Sequence, residues 1–244
     1  MATVIKFGTL CLDGTPVRLE SRYEPGKALS FIEGNSISWI AVNGILIADR
    51  CLLSHISWDD LNAQGLVFGK RVTIGQQTFQ ARLLKLGDRE GVPNEWDAAL
   101  DIIGEDNDLL HWGKIYSLGQ EQSMEEPECR ASCGYNWARS WAYFGASYRN
   151  AYIGYRPVLE PIPSDAQVTG KNICAIGNQS IIYGTVLEQT PYDILLKPAP
   201  NTVLAEGDNW KLAMCLPDGN LVVDRSLAVI QNMSCETADK SRTK

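Results

Sequence analysis

The chain has 244 residues, 45 % hydrophobic and 21 % charged, a composition that supports real cores and excludes global disorder. A formal charge of −7 with scattered basic residues disfavours a general phosphate-binding surface, so nucleic acid is not the expected partner. No window reaches the roughly 18 to 20 apolar residues of a membrane-spanning helix. The start, Met1-Ala-Thr-Val-Ile-Lys-Phe-Gly, lacks the basic and apolar regions of a secretory signal, so cytoplasmic synthesis is expected, with virion association left open.

The first 69 residues read as a β-rich segment. Val4–Phe7 and Thr9–Leu12 lead into Asp13-Gly14 and then Val17-Arg18-Leu19, a hairpin signal because both turn positions favour positive φ. Ile37–Val42 meets Asn43-Gly44 and resumes as Ile45–Ala48, the strongest hairpin in the chain. Ser57 before Trp58-Asp-Asp-Leu61 reads as the cap of a single helical turn.

From Lys70, two more strands follow at Arg71–Ile74 and Thr78–Leu84. Asn94–Ile103 reads as a helix, acidic at its start, apolar at Trp96, Ala99, Leu100 and Ile103, and ended by Gly104. A loop carrying Trp112 and Tyr116 comes next, then an acidic stretch from Glu121 to Glu128 that reads as a solvated loop. Tyr135 to Tyr155 packs eight aromatics into 21 residues, a density found nowhere else in the chain. Trp137 and Trp141, spaced i, i+4, fit one face of a helical turn. Pro161 to Asp165 reads as a linker.

Residues 164–240 read as a small β-rich C-terminal domain. Its strands are expected at Ile181–Leu187, Asp193–Lys197, Trp210–Leu216 and Leu221–Asp224, with a turn at Pro217-Asp-Gly-Asn220 and a polar tail from Glu236. The seven cysteines form an odd, irregular set, which fits reduced, buried thiols better than a disulfide framework. His55 and His111 lie far apart without zinc-ligand spacing.

The run Ala146-Ser-Tyr-Arg-Asn-Ala-Tyr-Ile-Gly-Tyr-Arg-Pro-Val-Leu-Glu160 resembles the ending of formylglycine-generating-enzyme-like proteins, a branch of the C-type-lectin fold, whose Gly-Phe-Arg motif is here Gly154-Tyr155-Arg156. Similar endings occur in bacterial and phage proteins and in retroelement-diversified variable proteins. The resemblance covers residues 70–161 and is specific over the last 25 of them. It implies an α+β fold of mostly short antiparallel strands, with a C-type-lectin-like central module at 70–161 flanked by the segments 1–69 and 164–240. It also implies that Gly154, Tyr155 and Arg156 are scaffold, the glycine allowing close approach and the arginine serving a buried network. Retroelement-diversified variable proteins display their binding residues just before the terminal motif, here Gly154-Tyr155-Arg156. The expected ligand-binding set is therefore Tyr135, Asn136, Trp137, Trp141, Tyr143, Phe144, Tyr148, Asn150 and Tyr152, residue types that give contact area and adaptable hydrogen bonding. A core-filling role for the same aromatics is the alternative.

Formylglycine-generating enzymes hold copper(I) on a cysteine pair upstream of this ending, and Cys129 and Cys133 invite the comparison, one residue closer together than that family's pattern. Asp97, Asp101, Glu105, Asp106 and Asp108 make calcium conceivable, with a solvated acidic face as the alternative. No P-loop, Gly-x-Gly-x-x-Gly or Gly-x-Ser-x-Gly is present. The expectation is a non-catalytic recognition protein of phage or prophage origin that binds a protein or glycan without a cofactor. Alternatives are a copper-dependent or degenerate formylglycine-generating-type enzyme and a phage protein that blocks a host factor. A homo-oligomer stays open.

Overall fold

A computed structural model describes residues 4–75, 77–162, 167–204 and 212–233. Two compact units emerge, one of Val4–Ile40 and Leu46–Ile162, the other of the chain from Pro163 onward with Ala41–Ile45. The described residues are β-rich, with several antiparallel sheets and three short helices. None of these helices is long and apolar enough to cross a membrane.

In chain order the first unit carries β1 (Val4–Lys6), β2 (Thr9–Leu12), β3 (Thr15–Pro16), β4 (Ser21–Arg22), β5 (Leu29–Ile32), β6 (Ser38–Val42) and β7 (Ile45–Ala48) apart from the tip Ala41–Ile45, and β8 (Leu53–Ser54). Then come α1 (Trp58–Ala63), β9 (Lys70–Ile74), β10 (Gln77–Arg82), α2 (Glu95–Ile103) and α3 (Asn107–Leu110). It closes with β11 (Tyr116–Gln122), β12 (Cys129–Gly134), β13 (Trp141–Gly145), β14 (Ile153–Tyr155) and β15 (Val158–Pro161).

The local signals explain several of these elements. Asp13 and Gly14 take φ of 47° and 76° between β2 and β3, and Asn43 and Gly44 take 46° and 74° between β6 and β7. Strand β3 is Thr15–Pro16, so the expected run Val17–Leu19 lies outside it. The Ser57 hydroxyl accepts from Asp60 N–H while the Asp60 carboxylate accepts from Ser57 N–H, a reciprocal cap on α1. Asn94 caps α2 by accepting from Asp97 N–H at 2.8 Å, and Gly104 ends it at φ 86°.

Two six-stranded sheets organise the unit, in the orders β1-β6-β7-β15-β10-β9 and β13-β12-β11-β14-β8-β4. Strand β15 lies between β7 and β10, pairing Leu159 with Leu46 on one side and Ala81 on the other. Strand β14 lies between β11 and β8, parallel to the first and antiparallel to the second. Residues 4–69 and 70–161, expected as separate segments, therefore share both sheets, and no boundary at 69/70 divides them. Trp39, Trp96, Phe79, Leu46, Ile47 and Tyr155 are fully buried here.

Two arginines are buried with them. Arg82 reaches the Glu95 carboxylate at 2.8 and 2.7 Å and Glu160 at 2.9 Å. Arg156 donates to Ser117 Oγ (2.8 Å) and the carbonyls of Ala48 (2.9 Å) and His111 (3.2 Å), with its guanidinium 4.9 Å from the Trp96 ring centre. Carbonyls, a hydroxyl and a ring face thus hold this cation, a use suited to a planar five-donor group.

The second unit is an antiparallel sheet of β16 (Asn172–Gly177), β17 (Ser180–Gln189), β18 (Asp193–Pro198), β19 (Ala213–Cys215), β20 (Leu221–Asp224) and β21 (Val229–Asn232), ordered β19-β20-β18-β17-β16-β21. Alternation along these strands buries Ile173, Ile182, Val186, Ile194, Leu196 and Val223 in one core. Trp210, expected to start a strand, lies outside the described residues, as does the tail from Glu236.

Candidate functional site

The aromatic run does not form a helical turn. Trp137 sits in the bend between β12 and β13, 60 % exposed, whereas Trp141 opens β13 and is half-buried. The i, i+4 spacing was coincidental: strand alternation, not helical period, sets direction here. Phe144 points to one face of β13, and Trp141 and Tyr143 to the other, where their rings meet at 5.8 Å.

On the Phe144 face five half-buried or exposed rings come together. Tyr116, expected in a loop, lies on β11 opposite Gly134. Tyr135 stacks on Tyr116, centroids 4.7 Å apart and planes 12° from parallel. Phe144 meets Tyr116 edge-on at 5.1 Å, and Tyr148 stacks on Phe144 at 6.0 Å. Tyr152 closes the group at 5.8 Å from Tyr135 and 6.1 Å from Phe144. Offset-stacked and edge-on pairs in this range are the favoured arrangements of aromatic quadrupoles.

Tyr135 reaches this position at a backbone cost. Its φ is 89°, rare for a residue with a bulky side chain. The strain is held by two bonds: Tyr135 N–H donates to Trp112 O at 2.8 Å, and Lys114 N–H donates to Tyr135 O at 2.9 Å.

The loop 146–152 is pinned just as firmly. Arg149 makes a bidentate pair with Asp60 of α1, both distances 2.7 Å. Burial alone would raise the Asp60 carboxyl, but Arg149 and the Ser57 hydroxyl and amide together hold it below 3.8. His55 N–H donates to Asn150 O at 3.0 Å, Asp59 N–H to Ala146 O at 3.0 Å, and Tyr116 N–H to Tyr152 O at 2.8 Å. The outer rim is polar. The hydroxyls of Tyr148 and Tyr152 are 2.7 Å apart, and Asn150 Nδ2 donates to the Tyr148 hydroxyl at 3.0 Å. That chain lowers the Tyr148 phenol and raises Tyr152. Tyr148 is 41 % exposed.

Of the expected ligand-binding set, Tyr135, Phe144, Tyr148, Asn150 and Tyr152 therefore converge. Asn136 and Trp137 are exposed on the neighbouring bend, and Trp141 and Tyr143 lie on the opposite face of β13. Tyr116 completes the group and was missed because it sits far upstream in an unremarkable strand. Gly154, Tyr155 and Arg156 are all buried, and a Cβ on Gly154 would lie 2.7 Å from both Cys51 Cβ and Ile115 Cδ1.

The metal alternatives meet geometric obstacles. Cys129 and Cys133 lie on β12, where four residues span about 13 Å, so their thiols cannot share one copper ion as they would on a helix. Burial pushes the Cys133 thiol far above its ordinary range, away from the thiolate that copper needs. Asp97, Asp101 and Glu105 already face a cation: Arg139 reaches them at 3.5, 2.8 and 2.6 Å. Asp106 instead caps α3 by accepting from Asp108 N–H at 2.9 Å. Among the described residues no cluster of three or more metal-ligating side chains occurs.

No family model, curated protein or solved structure matches this chain.

Proposed function

We propose that the chain is a non-catalytic recognition protein that binds a protein or glycan through the face formed by Tyr116, Tyr135, Phe144, Tyr148 and Tyr152. The observation that carries the reading is the packing of five rings under a polar rim of two phenols and Asn150. Rings held by one another and by a pinned loop lose little entropy on binding, so their contact area is available as affinity. Phage or prophage origin, and a C-type-lectin-like architecture for 70–161, follow from the resemblance of the Ala146–Glu160 ending and belong to the same proposal.

The test compares the native protein with Tyr148→Ala/Tyr152→Ala on a bacterial glycan array and an array of bacterial surface proteins. The expected result is binding by the native chain that falls at least tenfold in the variant, about 1.4 kcal/mol or more, with the urea midpoint little changed. Equal losses of binding and stability would make these rings core and overturn the reading. So would binding that survives the double substitution.

A further inference from the structure

Strand β13 ends the second six-stranded sheet, and its open side is chemically distinctive. Its register on β12 pairs Trp141 with Cys133, Tyr143 with Ala131 and Gly145 with Cys129. Just beyond the paired stretch, Gly134 N–H donates to Ser140 O and Ala146 N–H to Glu128 O. Hydrogen-bonded pairs alternate along an antiparallel ladder, so Ala142 and Phe144 bond inward to β12. Trp141, Tyr143 and Gly145 turn their main-chain groups outward. Gly145 O accepts from Tyr148 N–H, and among the described residues no strand or isolated bridge pairs with the other outward groups.

Proteins protect such edges by shortness, charge or proline. The other edges of the two large sheets follow that pattern: β1 has three residues, β4 has two, and β9 begins Lys70-Arg71. Strand β13 has five residues, Trp-Ala-Tyr-Phe-Gly, without charge or proline. A side chain placed at Gly145 would meet nothing within 4 Å.

The surroundings select a sign of charge. Glu125, Glu126 and Glu128 are exposed in the β11–β12 connection, where the Glu126 carboxylate accepts from the Cys129 thiol at 3.4 Å, directly across from Gly145. Ala146 N–H donates to Glu128 O, which sets that acidic loop beside the end of the strand, and the charge of Glu126, then burial, then Glu125 raise the Tyr143 phenol. At the other end, Asp97, Asp101 and Glu105 share the single cation Arg139. The glutamate loop also holds Arg130, on Pro127 O and Cys129 O, and Arg89, on Met124 beside Asp88. At both ends of the edge the carboxylates named here outnumber the cations.

We propose that the β13 edge takes up an extended basic segment of another polypeptide as a seventh strand. Main-chain bonds to Trp141, Tyr143 and the Gly145 N–H supply affinity, and lysine or arginine side chains reach Glu125, Glu126 and Glu128. A second copy of this chain is disfavoured, because antiparallel self-pairing would set the glutamate loop of each copy against the Asp97/Asp101/Glu105 cluster of the other, on chains that each carry −7. The surface is distinct from the ring face, since it offers backbone on the side of β13 rather than rings above it.

The test uses the full chain and a fluorescent library of alternating heptapeptides, with Lys or Arg at odd positions and Val, Ile, Thr or Tyr at even ones. Companion libraries carry Glu in place of the cations or N-methyl groups at every second amide. Cationic members are expected to bind, to lose binding on N-methylation, and to slow amide exchange at Trp141 and Tyr143. Tyr143→Pro removes an outward N–H, and with it the Tyr143 ring, without breaking a ladder bond to β12; it should weaken binding at least tenfold, whereas Tyr143→Ala, which keeps the N–H, should not. Tyr148→Ala/Tyr152→Ala should leave it unchanged, so failure of the ring-face reading and failure of this one are separable. Absence of any cationic binder, equal binding of the glutamate library, or indifference to N-methylation would overturn the proposal. The exchange measurement on the native chain decides the matter should Tyr143→Pro not fold.

Discussion

Tyr155 offers a test of how its own burial is balanced. The residue is fully buried, and its hydroxyl has no hydrogen-bond partner among the described residues. An unsatisfied buried hydroxyl costs about 1–3 kcal/mol of desolvation, which Tyr155→Phe removes. Against that, the lost oxygen forfeits a few dispersion contacts of about 0.1–0.2 kcal/mol each. The net expectation is a gain of about 1 kcal/mol. With a urea dependence of about 2–3 kcal/mol per molar, the unfolding midpoint should rise by about 0.4 M at unchanged slope. A second readout comes from pH. Burial holds the phenol well above its ordinary 10.0. A raised folded pKa contributes stability that is complete below pH 10 and lost as pH climbs toward the folded value, because only the unfolded chain releases that proton. Native protein should therefore weaken more steeply above pH 10 than Tyr155→Phe. Chemical denaturation at pH 7 and pH 11 checks both. A loss of 1 kcal/mol or more at pH 7 would mean that the hydroxyl is satisfied, by a buried water for example, and would refute the reasoning.

Two further outcomes follow from the same unit. Gly154→Ala pushes a methyl against Cys51 Cβ and Ile115 Cδ1, each 2.7 Å away, and should cost about 2 kcal/mol in urea unfolding. The Asp60 carboxyl is held low by Arg149 and Ser57, so its contribution is present above pH 3.8 and lost as pH falls through the lower folded value. Asp60→Asn should melt below the native protein at pH 6, with the gap closing by pH 2, and a gap that persists at pH 2 would exclude that ion pair as its source.

The caps and tight turns were legible because each depends on chemistry within a few residues. Gly104, Ser57, Asp13-Gly14 and Asn43-Gly44 occupy the places read for them, and Asn94, read as the first residue of the helix, is its cap. The long-range pairings were not. Strand β14 is three residues long, too short for alternation to register, and it is a strand only because β11 and β8 flank it. Strand β16, Asn172–Gly177, was missed because its apolar run carries no clear period. The site was half visible: aromatic density marked the neighbourhood, but a strand places Trp141 and Phe144 on opposite faces. The role of Tyr135 depends on a positive φ that nothing in its own residue type predicts.

The position of β14 and β15 also dictates when this unit can fold. As the chain leaves the ribosome, Leu46 has no partner for its outer side until Leu159 appears, and Leu53 waits for Tyr155. Neither large sheet can close until almost the whole unit has been synthesised, and until then β7 and β10 expose the edges that β15 will fill. Closure is thus a late, non-local event, the kind that slows folding and lengthens exposure to aggregation. A chain stopped before Ile153 would lack one inner strand of each sheet, and the nascent protein should depend on chaperones for longer than its size alone suggests.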